Sequence, residues 1–142
     1  MKHPVSIRVE SRQLDAEGTE ARLENRYEGT WYQQDSSDYV VYQDEGVQTT
    51  LRWDADEWRL FRRGADLEGF QLFRLEQPTE TELRIQTSTL PLKTVTHRMQ
   101  VTPLPRGREL SLDYTLTSGP DLIGNFTLII QLTTHEVDET HG

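Results

Sequence analysis

Leu110-Ser111-Leu112-Asp113-Tyr114-Thr115-Leu116-Thr117 places a large apolar or aromatic side chain on every second residue, with small polar or acidic ones between. Successive side chains point to opposite faces of a strand, so a period of two marks a strand with one buried face. The same period recurs from Val5 to Leu132 and no helical periodicity interrupts it. The chain is expected to be all-β.

Downstream, Ser118-Gly119-Pro120-Asp121 turns into the face of Phe126, Leu128, Ile130 and Leu132. Upstream, Pro103 to Gly107 turns out of a face formed by Val95, His97, Met99 and Val101. Before it, Leu83, Ile85, Thr87 and Thr89 read as one strand face closed by Pro91, which lacks a ladder donor. Trp58, Leu60 and Arg62 share a face ahead of Gly64, and Phe70 and Leu72 resume after the loop. Tyr39 to Tyr42 and Val47 to Trp53 flank a turn at Asp44-Glu45-Gly46. The run Ala21, Leu23, Asn25, Tyr27, Gly29, Trp31 is long enough to bend at Gly29, and Asp15 to Gly18 turns it back onto Val5, Ile7 and Val9.

That makes about ten strands on short loops, a count at which an open twisted sheet closes or splits. Sequential hairpins favour a single antiparallel up-and-down β-barrel of about 8–10 strands. A Greek-key sandwich is the alternative, because alternation fixes faces and not pairing partners. One domain over residues 1–142 is expected, with its core at about 5–133 and a polar tail at 134–142.

A chain of 142 residues can close one core without disulfide or metal support. Cys is absent, which excludes disulfides, thiolate metal sites and a cysteine nucleophile. Met1-Lys2-His3-Pro4 runs straight into alternation with no uniformly apolar stretch, so neither a secretory signal nor a spanning helix is expected and the cytoplasm is the expected location. A net charge of −9 opposes binding to nucleic acid or an anionic membrane. It also keeps a strand-rich protein dispersed. Monomer and homodimer stay equally open.

His3, His97, His135 and His141 are far apart with no ligand-pair spacing, so no metal or other cofactor is expected. The acidic residues fall in turns or on polar faces, whereas a hydrolytic pair needs two carboxylates across one cleft. Neither a Gly-x-Ser-x-Gly element nor a Gly-rich phosphate loop occurs. Arg62 is the least routine residue. Its parity with Trp58 and Leu60 puts a guanidinium inside the barrel, where it needs a carboxylate such as Asp44 or Glu45, carbonyls, water or an anionic ligand. Thr87, Thr89 and Tyr114 share parity with apolar positions and offer hydroxyls around it. His97 falls on the same presumed interior.

An ordered string of short motifs resembles the YwiB-like, DUF1934 family of uncharacterised bacterial proteins, whose fold belongs with the calycins and lipocalin-like barrels. Its carriers are Tyr42-Gln43-Asp44-Glu45 before Thr49-Thr50, Leu60-Phe61-Arg62-Arg63-Gly64, and Glu82 to Thr89. Gly107-Arg108 before Leu112-Asp113-Tyr114, and Asn125 to Ile129, complete the string. The segment from Glu76 to Thr81 departs from it, lacking that family's usual aromatic and glycine. Tyr27-Glu28-Gly29-Thr30-Trp31-Tyr32 is similar to the Gly-x-Trp element of true lipocalins, although a complete strand precedes it here. The resemblance implies a calycin-type barrel in a Gram-positive-type bacterial cytoplasm, and no activity.

The first expectation for function is a non-catalytic barrel binding a small amphipathic or anionic molecule in its interior, through Arg62, Thr87, Thr89, His97 and Tyr114. The alternative is a protein-interaction domain with a solid core. An enzyme built around Arg62, His97 and Tyr114 at one barrel mouth comes third.

Overall fold

Ten antiparallel strands follow one another along the chain. They are β1 (Lys2–Leu14), β2 (Glu20–Gln33), β3 (Asp38–Asp44), β4 (Val47–Trp53), β5 (Trp58–Arg63), β6 (Leu67–Phe73), β7 (Thr79–Ile85), β8 (Ser88–Leu104), β9 (Gly107–Ser118) and β10 (Asp121–Thr134). In this computed structural model, which describes residues 1–135, each strand pairs with the next. β10 returns to β1 in a register running from Val5↔Thr134 to Leu14↔Asn125, so the sheet closes. An up-and-down barrel is the result, and the sandwich is excluded. Thr134 is still strand, so the expected polar tail begins later than its proposed start; residues 136–142, His141 among them, lie outside the described residues.

The inward face follows from the alternation. Trp31↔Val40, Val40↔Leu51 and Leu51↔Leu60 are cross-strand partners, all buried, and Leu110↔Ile130 continues the belt on the far side. Outside, Arg8, Arg22, Glu10 and Glu24 form exposed ion pairs across β1 and β2. Such exposed pairs add little stability each.

Turn chemistry fixes the register. Glu45 and Gly46 have φ of 49° and 83°, the pair of positive values that a two-residue type I′ hairpin requires. In the turn after β4, Asp54 accepts backbone N–H bonds from Asp56 at 2.8 Å and Glu57 at 2.9 Å. Those two donors hold its carboxyl below the usual carboxylate range. Their stabilisation is present above an unfolded-state pKa near 4 and fades as pH falls through the lower folded-state value. Asp54→Ala should cost about 1 kcal/mol at neutral pH by urea denaturation, with the difference closing in acid. An unchanged midpoint at neutral pH would contradict this role.

Two places depart from the sequence reading. The run from Leu83 to Thr89 is two strands, because Gln86 and Thr87 turn the chain and Gln86 adopts a φ of 55°. Pro91 therefore lies inside β8, opposite Glu82, and closes nothing. Further along, β8 carries a bulge: Thr96 pairs with Tyr114 and Arg98 with Asp113, which leaves His97 without a partner. One extra residue inverts the parity that follows. Thr94 and Thr96 are buried before the bulge, while Met99 packs against the core after it. Val95 and His97 thus do not share a face with Met99 and Val101.

Candidate functional site

The two ends of the barrel are unlike. At the end carrying the loops 34–37 and 54–57, Trp31, Trp53, Trp58 and Phe73 are buried and fill the interior. Trp31 donates its indole N–H to Asp38 at 3.1 Å, and the Arg108 guanidinium lies 5.2 Å from its ring centroid. Gly29 passes so close to β3 that an added Cβ would come within 2.4 Å of the Val41 carbonyl. The Gly-x-Trp element therefore serves as a packed plug.

At the opposite end, inward-facing Leu23, Ile85 and Leu90 are 60%, 41% and 38% exposed. The apolar lining there is uncovered. Arg62 belongs to this open end: it has the inward parity of Trp58 and Leu60, pairing with Thr49 and Gly69, yet it is exposed at the mouth instead of enclosed. Below it stand two phenols. Tyr114 is buried, meets Phe73 edge-on at 5.0 Å and stacks on Phe126 at 5.1 Å. Burial pushes its hydroxyl up to about 12, against the opposing pull of the Arg62 cation. Tyr42 is raised by burial as well, also against Arg62, and stacks on Tyr27 at 4.6 Å. Both phenols keep their protons at neutral pH and can donate.

Asp44, an expected partner for Arg62, instead lies near the Tyr27 hydroxyl, where with burial it helps hold that phenol's proton on. Among the described residues Arg62 forms no ion pair. Beside it is a small, half-open void of about 30 Å³ bordered by Leu60, Gln71, Leu83 and Leu92, room for about one water. The interior is therefore mostly filled.

The wall next to that void is incomplete. β6 and β7 pair only over Leu67↔Ile85, Glu68↔Arg84 and Gly69↔Leu83, and beyond Gly69 the ladder stops. A surface depression of about 560 Å³ lies there, lined by Phe70, Thr81, Glu82, Leu92 and Lys93 among others. Gln71 Nε2, Thr81 Oγ1 and Thr96 Oγ1 are all buried without a hydrogen-bond partner. Buried polar atoms usually find one, so three on neighbouring strands mark an unfinished region.

Of the residues expected to line the interior, Tyr114 does so, and Arg62 points inward but sits at the mouth. Thr87 occupies the exposed turn and Thr89 faces outward opposite Arg84, so neither lines the barrel. The hydroxyls that do are Thr49, Thr79, Thr81, Thr94 and Thr96. His97 is on the outside: its Nε2 lies 2.7 Å from Thr115 Oγ1, which donates to Asn125 Oδ1 at 2.6 Å. With the threonine proton committed to Asn125, His97 is the donor in that contact and no base for Thr115. Among the described residues, no group of three or more His, Asp or Glu is arranged to hold a metal ion.

The domain-family profile described as "Domain of unknown function (DUF1934)" matches residues 7–130. Among solved structures, the chain is similar to the ywiB protein from Bacillus subtilis, with a TM-score of 0.83 and 22% identity over 95% of this chain and 94% of that one. At that identity the likeness is one of fold, a calycin-like barrel. No curated protein matches the chain.

Proposed function

The chain belongs to the DUF1934 family, and from that premise we propose that it is a non-catalytic cytoplasmic barrel whose open end binds a small amphipathic or anionic molecule, with Arg62 on the polar end. The observation that carries this reading is the Arg62 guanidinium at the mouth, on the inward face next to Thr49, with half-buried Tyr42 and buried Tyr114 both within reach of its charge and no carboxylate pairing it among the described residues. A cation over a low-dielectric floor attracts an anion more strongly than one free in water. The uncovered Leu23, Ile85 and Leu90 suit an apolar portion. A charged exterior around an apolar interior is the inverse of a membrane barrel, which supports an aqueous location.

A second reading, a protein-interaction domain with a solid core, has the filled tryptophan end in its favour. Fluorescence titration separates the two. Anilinonaphthalene sulfonate should bind at one site and weaken about tenfold in Arg62→Ala, while uncharged N-phenylnaphthylamine changes by less than about twofold. Equal sulfonate binding by both proteins would remove Arg62 from the site.

A further inference from the structure

The missing β6–β7 ladder coincides with three other features. Phe70 is 41% exposed, stacks on Phe61 at 5.6 Å, and borders the 560 Å³ depression and the small half-open void alike. Leu92 is the other wall common to both. Gln71 faces the void and Thr81 the depression, each with a polar atom buried and unpartnered. Counting the register on from Gly69↔Leu83 sets Gln71 across from Thr81. In place of ladder bonds, the Thr79 hydroxyl donates to the Leu72 carbonyl, and just past β6 the Glu76 N–H donates to the Thr96 carbonyl of β8 and closes the gap at its far end. A wall held this thinly opens locally at lower cost than a laddered one.

Gln71 Nε2 can only donate, the Thr81 hydroxyl can donate, and Arg62 beside the same void only donates. Gln71 Nε2 and Thr81 Oγ1 are each left without a partner, and an acceptor from outside would satisfy both beside the Arg62 cation. Glu80 and Glu82 at the outer rim, answered by Lys93 alone, disfavour a multiply charged head group and leave room for a single negative charge.

We propose that the unladdered seam between β6 and β7 is the portal and head-group subsite of this barrel, admitting a small amphipathic monocarboxylate past Phe70 and holding its carboxylate on Gln71 and Thr81 beside Arg62. This deepens the binding reading above and rests on it. Phe70 is the movable element; the void it screens widens into the depression when its ring swings outward.

The test uses octanoate, octanol and octyl phosphate as competitors of anilinonaphthalene sulfonate, and stopped-flow mixing for rates. Octanoate should displace the probe better than octanol or octyl phosphate. Gln71→Leu and Thr81→Val should each weaken octanoate about tenfold and leave octanol unchanged. Phe70→Ala should speed probe association several-fold. Removing an unsatisfied polar atom should not lower the melting temperature, which checks the fold of both polar variants. If Arg62→Ala weakens the probe while the seam variants alter neither octanoate affinity nor rate, the seam inference falls and the binding reading stands. Octyl phosphate matching octanoate would overturn the monocarboxylate assignment. If the probe does not bind the wild-type protein, both fall.

Discussion

Gly107→Ala is expected to destabilise the barrel by about 3 kcal/mol or more and to lower its melting temperature by roughly 10 °C. Gly107 opens β9 and faces Leu104 on one side and Thr133 on the other. A Cβ built there falls 1.6 Å from the Leu132 carbonyl oxygen and 2.7 Å from its carbon. These are backbone atoms of a fully buried, laddered residue, so no flexible side-chain tip can yield. Gly18→Ala is the control, since an added Cβ there meets nothing within 4 Å and only its φ of 83° is disfavoured. That substitution should cost about 1 kcal/mol. Thermal melts of the two variants decide the point, and a Gly107→Ala protein melting within about 2 °C of wild type would refute the clash.

Gly107 also shows what alternation can and cannot deliver. The strands were legible because their faces differ: Leu110, Leu112 and Tyr114 are buried as the period of two requires. Closure was legible only as a preference, since nothing local to Ile7 or Leu132 names the other as a neighbour, and only the register of β1 on β10 joins them. The turn at Gln86-Thr87 was hidden for a definite reason. It needs a positive φ, and the residue that adopts it is glutamine instead of glycine or asparagine. Without that punctuation two strands read as one.

The site was legible to the same partial degree. Arg62 and Tyr114 lie before or between the irregularities, and their parity carried through. His97 is itself the extra residue of a bulge, so its parity with Met99 meant nothing. Thr87 and Thr89 were displaced by the hidden turn, and the threonines that enter the interior are Thr49, Thr79, Thr81, Thr94 and Thr96. The seam itself leaves little sequence signal. Glu76 to Thr81, whose sequence stood out against the family resemblance, leads into the part of β7 that has no partner on β6. Pro78 was visible; the loss of β7 partners for Phe70 to Phe73, which keep their β5 partners, depends on where the chain re-enters the sheet.

Phe73→Ala should cost about 3 to 5 kcal/mol, measured by urea denaturation with the tryptophan fluorescence of buried Trp31, Trp53 and Trp58 as the signal. Phe73 is 0% exposed, pairs with Trp58 across β5, and braces Tyr114 edge-on at 5.0 Å. Its position matters as much as its volume, because it is the last residue of the segment of β6 that has no β7 partner, between the filled tryptophan end and the void beside Arg62. Truncation leaves a cavity that the laddered β5 side cannot collapse into. Phe73→Leu keeps part of the volume and should cost about 1 to 2 kcal/mol. A loss below about 1 kcal/mol in the alanine variant would mean that the tryptophan end is loosely packed. The same variant bears on binding. Room added beneath Tyr114 should tighten N-phenylnaphthylamine, which responds to apolar volume, while the sulfonate keeps its dependence on Arg62. Tightening of both probes in parallel, with Arg62 no longer mattering, would place the bound molecule deep in the barrel and away from its mouth.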